Sequence, residues 1–132
     1  MTCPRLVLAM TMALMGATAV GAHHSFAAFD RAKEVTVTGV VKEVQWNNPH
    51  AWIQVMTTDA KGKQTEWGFE CGSPNMMART GWTSRTVKAG DRVTIVGNPL
   101  KDGRPNATLV RITLADGRVL GPGDAPKPKV IH

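Results

Sequence analysis

Imidazole and thioether side chains are the strongest candidates for chemistry in this 132-residue chain. His23 and His24 are adjacent near its start. His50 lies in a loop rich in aromatic and amide side chains, and Met76 follows further along. Imidazole nitrogen suits copper, and thioether sulfur favours its reduced form. We therefore predict these four residues as metal ligands, with copper as the favoured ion.

The two adjacent His residues can chelate a metal only if the chain is cut close to them. Cleavage after Ala22 would combine a new α-amine with the imidazole of His23 in one Cu(II) chelate. If Ala22 is retained as the first residue, His24 becomes the third residue, which is also a chelating arrangement. Cleavage after Ala19 would allow neither of these chelating arrangements. The alternative is an ordinary solvated terminus, because adjacent His residues alone are a weak metal signal.

The loop of residues 46–52 places His50 among two Trp and two Asn side chains, with a Pro between them. A Trp face can lie over a cation, so this loop is compatible with a metal site. Packing is the alternative, because Trp and Met more often fill cores than bind ligands. In that case the region would offer a surface to a protein partner or a small ligand. Its predicted members are Trp46, Asn48, Trp52 and Trp82.

Residues 1–22 are predicted to form a secretory signal peptide. Arg5 gives a positive start, residues 6–16 are apolar but too short to cross a bilayer, and residues 20–22 form a small-residue cleavage site. We therefore expect a periplasmic or secreted protein without a stable membrane span after cleavage.

Charge and cysteine content narrow the class of protein further. The chain has 16 Lys and Arg against 10 Asp and Glu, and these alternate along the sequence. Such mixing indicates a solvated surface rather than a basic arm. An OB-type oligonucleotide binder, using Trp52, Trp67, Lys61 and Lys63, is the less favoured alternative. No nucleic-acid partner is expected, because export is predicted, Trp67 has the apolar phase of its strand and the chain has no basic run. Cys71 is the only cysteine beyond the predicted signal peptide, which leaves no internal disulfide.

The strand pattern predicts a mainly β domain over residues 23–120, followed by a flexible Gly/Pro tail at residues 121–132. Ser73 can cap a short helix that begins at Pro74 and ends before Gly81. Five strands in about 85 residues, with one short helix between strands three and four, favour a small OB-fold-like barrel. The predicted strands are residues 35–46, 51–58, 64–71, 91–97 and 106–114.

Glycine and alternation add detail to this prediction. Gly39 interrupts the first strand, where a change in apolar phase predicts a bulge or bend. In the fifth strand, alternation places Val110, Ile112 and Leu114 on one face.

The succession of motifs resembles the small exported bacterial proteins grouped as domain-of-unknown-function family 6152. The resemblance covers about residues 23–120 and implies export and a small β-barrel domain, with no established activity. Cys71 departs from the family pattern, which counts against an essential role for its thiol. The motifs are His-His-Ser-Phe at 23–26, Trp-Asn-Asn-Pro-His-Ala-Trp at 46–52, Trp-Gly-Phe-Glu-Cys-Gly-Ser-Pro at 67–74, Gly-Trp at 81–82 and Lys-Ala-Gly-Asp-Arg-Val-Thr at 88–94.

No activated nucleophile is apparent in the sequence. The serines occur in no nucleophile motif, and Glu70 beside Cys71 would raise the pKa of the thiol. Glu66 and Glu70 lie on one face of the third strand and could pair, although an exposed polar face explains them equally well. We therefore expect a non-enzymatic binding or accessory module, whose partner is a periplasmic protein or a small ligand.

Overall fold

The computed structural model describes residues 26–122, and within that range the predicted strand order is confirmed. A single 3-10 turn at Phe26–Ala28 comes first. Five long strands follow, with one helix between the third and the fourth, and a short sixth strand ends the fold. The elements are β1 (Val35–Gln45), β2 (Trp52–Thr58), β3 (Gln64–Glu70), α1 (Pro74–Arg79), β4 (Arg92–Pro99), β5 (Asn106–Leu114) and β6 (Val119–Leu120).

The first five strands close into a barrel. Antiparallel ladders join β1 to β2, β2 to β3, β1 to β4 and β4 to β5. A parallel ladder between residues 68–70 of β3 and residues 106–108 of β5 completes the circle. A closed five-stranded barrel with a helix between β3 and β4 is the OB-like architecture that the sequence predicts.

Strand β1 belongs to both halves of the barrel, because its first part pairs with β4 and its second part with β2. The bulge predicted at Gly39 lies instead at Lys42, where the β1–β2 register shifts. Gly39 stays in phase with the buried Val37 and Val41. Glycine is required at this position because β2 approaches β1 closely, and a Cβ on residue 39 would collide with the carbonyl group of Met56.

The core fills the inside of the barrel, where β-branched and aromatic side chains alternate with polar ones as strands require. Ile53, Phe69 and Ile95 are among the fully buried side chains. The predicted face of β5 needs one correction. Leu109 is buried, whereas Val110 is only half-buried, because the ladder with β4 skips it at a register shift.

Both ends of the described chain pack on the barrel. The backbone of Asp30 donates to Pro99 at 2.8 Å, and Phe29 forms a β-bridge with Leu100. At the other end Gly121, which we predicted to begin the flexible tail, accepts a hydrogen bond from the indole of Trp82. The predicted signal peptide, His23 and His24 lie outside the described residues. Between residues 26 and 122, no helix is long and apolar enough to cross a membrane.

Candidate functional site

A groove of about 400 Å³ lies where the ends of β2 and β3 meet the start of α1 and the middle of β5. We call it the His50 groove. Its volume falls in the range of small-molecule sites, which is roughly 300–1,000 Å³. It contains two of the four predicted metal ligands, His50 and Met76. Its walls include Arg31, Pro49, His50, Glu70, Met76 and Leu109.

His50 is placed by hydrogen bonds that continue the β2–β3 pairing beyond both strands. Ala51 and Cys71 are joined by a backbone bond of 2.8 Å, and the amide of Ala51 also donates to Gly72 at 3.0 Å. This pairing brings the ring of His50 beside the backbone of Cys71. The Nδ1 of His50 lies 3.2 Å from the carbonyl oxygen of Cys71. A carbonyl can only accept, so this contact selects the tautomer protonated at Nδ1 and leaves Nε2 as a potential ligand.

Glu70 is the residue of this groove that sequence reasoning missed as a partner of His50. It ends β3, and its side chain is 8% exposed, whereas that of His50 is 36% exposed. The Oε1 of Glu70 lies 3.5 Å from the Nε2 of His50. Glu66, on the same face of β3, instead points to solvent and receives a 2.6 Å hydrogen bond from Lys42, which raises the pKa of that lysine. The two glutamates therefore do not pair with each other.

Met76 reaches the groove because helix α1 starts immediately beside it. Ser73 caps the helix by accepting a 3.3 Å hydrogen bond from the amide of Met76, and Pro74 occupies the first turn. Met76 is 65% exposed, whereas its neighbour Met77 is buried in the core. The two adjacent Met side chains thus face different environments, and of the two only Met76 lines the groove.

Cys71 is one of the residues that line the groove, and it is a buried free cysteine. Burial, and secondarily the charge of Glu70, raises the pKa of this thiol to about 12. The direction of the Glu70 effect is the one the sequence predicts, but burial is the larger cause. A thiol with this pKa is protonated at neutral pH, whereas a metal ligand or nucleophile must be a thiolate.

The predicted partner surface is divided between different environments. Asn48 is exposed in the loop, and Trp46 is half-buried against the core. Trp52 is half-buried and pairs across the β2–β3 ladder with Glu70, so their side chains leave the same side of the sheet. Trp82 is 3% exposed, and its indole nitrogen donates to the carbonyl of Gly121 at 2.9 Å. Trp82 therefore packs in the core beside the residues that precede the tail.

Within residues 26–122, no three His, Cys, Asp or Glu side chains are grouped so that they could hold a metal ion. Besides the protonated thiol of Cys71, the His50 groove offers the side chains of His50 and Glu70, and it adds the thioether of Met76 as a donor of another type. Chemically, this arrangement can bind an ion or a small polar molecule. Further metal ligands would have to come from water, from a ligand or from His23 and His24.

The sequence model of DUF6152, described as a family of unknown function, matches residues 11–109. The chain belongs to DUF6152. The matched range includes His23 and His24 as well as His50, Glu70 and Met76. Among curated proteins, none is detectably similar to this DUF6152 chain.

Among solved structures, the DUF6152 chain is similar to Rim1, a mitochondrial single-stranded DNA binding protein from S. cerevisiae. The TM-score is 0.50 at 9% sequence identity, over 63% of this chain and 93% of that chain. At such an identity the likeness shows a shared fold only. On the β2–β3 face of the DUF6152 barrel, Trp67 packs against the core and stacks on Phe69 with ring centroids 6.1 Å apart.

Proposed function

We propose that this DUF6152 chain is an exported, non-enzymatic metal-binding module that carries copper in the His50 groove. The observation that supports it most is the meeting of His50 and Met76, two predicted ligands distant in sequence, in one groove. Imidazole and thioether together favour copper over the harder ions of the same charge.

The orientation of His50 supports the same proposal. A metal-binding imidazole normally donates its other N–H to a carboxylate or carbonyl, which fixes the ring and increases its basicity. His50 makes this contact through Nδ1 to the carbonyl of Cys71. A metal could therefore bind at Nε2 while the hydrogen bond from Nδ1 to the backbone carbonyl of Cys71 is kept.

His23 and His24 remain proposed additional ligands. The described chain docks at Phe29 and Asp30, and Arg31 lines the groove. In the sequence, Arg31 follows both His residues closely. If His23 and His24 reached the groove, they would add two imidazole ligands to His50, the only His among residues 26–122.

The test is a copper titration of the mature protein in competition with a chromophoric chelator. We expect His50→Ala to lower the copper affinity by more than about tenfold, since partners that only orient a ligand already contribute 10–100-fold. His132→Ala is the matched control, because it removes an imidazole for which we predict no role. Equal affinities for wild type and His50→Ala would overturn the proposal.

A second candidate is a small organic ligand in the same groove. Its volume of about 400 Å³ exceeds what one ion needs, and Pro49, Leu109 and Pro122 give it apolar walls beside polar Arg31 and His50. Such a ligand would stay bound in excess chelator and would be seen in native mass spectra of protein purified from its host. Loss of the bound mass in chelator would favour the metal instead.

A further inference from the structure

We infer that Glu70 is a direct ligand in the His50 groove and that the ion it selects there is divalent. This inference rests on the proposed metal-binding function and adds the charge class of the ion. Glu70 was not predicted as a ligand from the sequence, because its phase in β3 is that of the polar face. In the structure its carboxylate is buried, and its Oε1 lies beside the Nε2 of His50.

The distance between the two donor atoms fits one shared ion. Oε1 of Glu70 and Nε2 of His50 are 3.5 Å apart. With both atoms about 2.0–2.1 Å from a metal, this separation corresponds to an angle of roughly 115° at the ion, close to tetrahedral. Met76 lines the same groove and is available as a third, softer donor.

The charge of Glu70 determines which ions fit. A carboxylate is a hard ligand that favours divalent ions, whereas a thioether favours Cu(I). The negative charge of a carboxylate also attracts a doubly charged ion more strongly than a singly charged one. Cu(II) is the best candidate, because imidazole suits it and it heads the affinity order of divalent ions. Zn(II) accepts the same donors more weakly.

Two glutamates of β3 provide a matched comparison. Glu66 and Glu70 leave the same face of the strand, but Glu66 is exposed and pairs with Lys42 at 2.6 Å, whereas Glu70 lies beside His50. Changing either residue to Gln preserves shape and removes one negative charge. If metal affinity depends only on the net charge of the protein, both substitutions should lower it equally. If Glu70 is a ligand, only Glu70→Gln should lower it.

The experiment titrates the mature protein with Cu(II), with Zn(II) and, without oxygen, with Cu(I). We expect Glu70→Gln to lower the Cu(II) and Zn(II) affinities by about 10–100-fold and to leave the Cu(I) affinity within about threefold of wild type. Glu66→Gln should change none of the three. Glu70→Asp retains a carboxylate, so it should recover part of the divalent affinity, and circular dichroism checks that each variant is folded.

The outcomes separate the inference from the function on which it rests. If wild type binds copper and Glu70→Gln binds Cu(II) equally well, Glu70 is not a ligand, while the copper-binding function stands. If the wild-type protein binds Cu(I) but neither Cu(II) nor Zn(II), the inference of a divalent ion is wrong, while the copper-binding function stands. Equal losses for all three ions in Glu70→Gln would mean that Glu70 supports the fold and would also overturn the inference. If wild type binds none of the ions, both proposals fail.

Discussion

The Nδ1 of His50 lies 3.2 Å from the carbonyl oxygen of Cys71, although the two residues are 21 positions apart in the chain. The contact follows from the β2–β3 hairpin, whose pairing continues past the strands through Ala51 and Gly72. The ladder itself thus fixes the ring orientation. Because a backbone carbonyl orients the ring, a ligand bound at Nε2 as proposed would meet an imidazole that is already oriented.

Removal of the Met76 thioether should weaken Cu(I) binding without weakening the fold. We expect Met76→Leu to lower the Cu(I) affinity several-fold, because leucine keeps the volume and removes the soft donor. Since Met76 is 65% exposed, this substitution should change the free energy of unfolding of the protein by less than about 0.5 kcal/mol. The control for the loss of a thioether elsewhere is Met56→Leu, because Met56 is a half-buried residue of β2 outside the groove. Identical Cu(I) affinities for the two variants would remove Met76 from the site.

Trp82 should prove to be a structural residue. Trp82→Phe loses the hydrogen bond to the carbonyl of Gly121 and should lower the free energy of unfolding by about 1–3 kcal/mol, because an acceptor is left buried. Copper affinity should not change. Urea unfolding followed by circular dichroism measures the first quantity and chelator competition the second. An unaltered stability together with reduced ligand binding would instead place Trp82 in the binding surface.

Gly39 should tolerate no side chain. Alanine at this position would place its Cβ against the carbonyl of Met56, so β1 and β2 would have to separate locally. Overpacking of this kind costs about 1–3 kcal/mol. Thr36→Ala, at an exposed position of the same strand, serves as the control. Thermal unfolding curves that coincide for the two variants would show that the strands adjust without cost.

The thiol of Cys71 should be unreactive in the folded protein. Burial removes it from solvent and raises its pKa to about 12, so little thiolate is present at neutral pH. We expect iodoacetamide to modify Cys71 slowly in buffer and rapidly in concentrated guanidinium, as followed by intact mass. Comparable rates in both solvents would show that the folded protein leaves the thiol accessible to the reagent and would contradict this prediction.

The mass of the protein recovered from its host tests the predicted export. We expect a chain that begins at His23 or Ala22, since either start gives a Cu(II)-chelating terminus. Intact mass spectrometry after mild purification reports both the new terminus and any bound metal. A chain starting at Val20, or one that retains residues 1–22, would exclude the terminal chelate and leave the groove as the proposed metal site.

Local signals in the sequence predict the fold well, because each acts over a few residues. The alternation of β2 and β3 and the cap at Ser73 give the strands and the helix. The turn at residues 59–62 also fixes the register, since Thr58 pairs with Gln64 and the ladder then places Trp52 opposite Glu70. The proximity of Glu70 to the His50 loop was thus accessible from sequence.

Burial of the polar side chains was not accessible in this way. Glu70 has the phase of an exposed residue in β3, yet it is buried beside a groove whose walls also come from distant segments, including Met76 from α1 and Leu109 from β5. Trp82 was likewise predicted from the sequence to lie on the surface, whereas in the structure its indole N–H donates to the carbonyl of the distant Gly121. Tertiary contacts between segments far apart in the chain carry no periodic signal, so the sequence predicts the elements better than the lining of the groove.

The parallel ladder that closes the barrel contains only three residue pairs, and one of them is Glu70 with Thr108. The His50 groove includes both of these residues and so contacts the two edges of the seam. A ligand bound there as proposed, and only when the seam is closed, would stabilise the closed seam by about 2.7 kcal/mol at a concentration of 100 times Kd. Amide exchange at the seam would then report occupancy of the groove, and removal of the ligand would loosen the barrel.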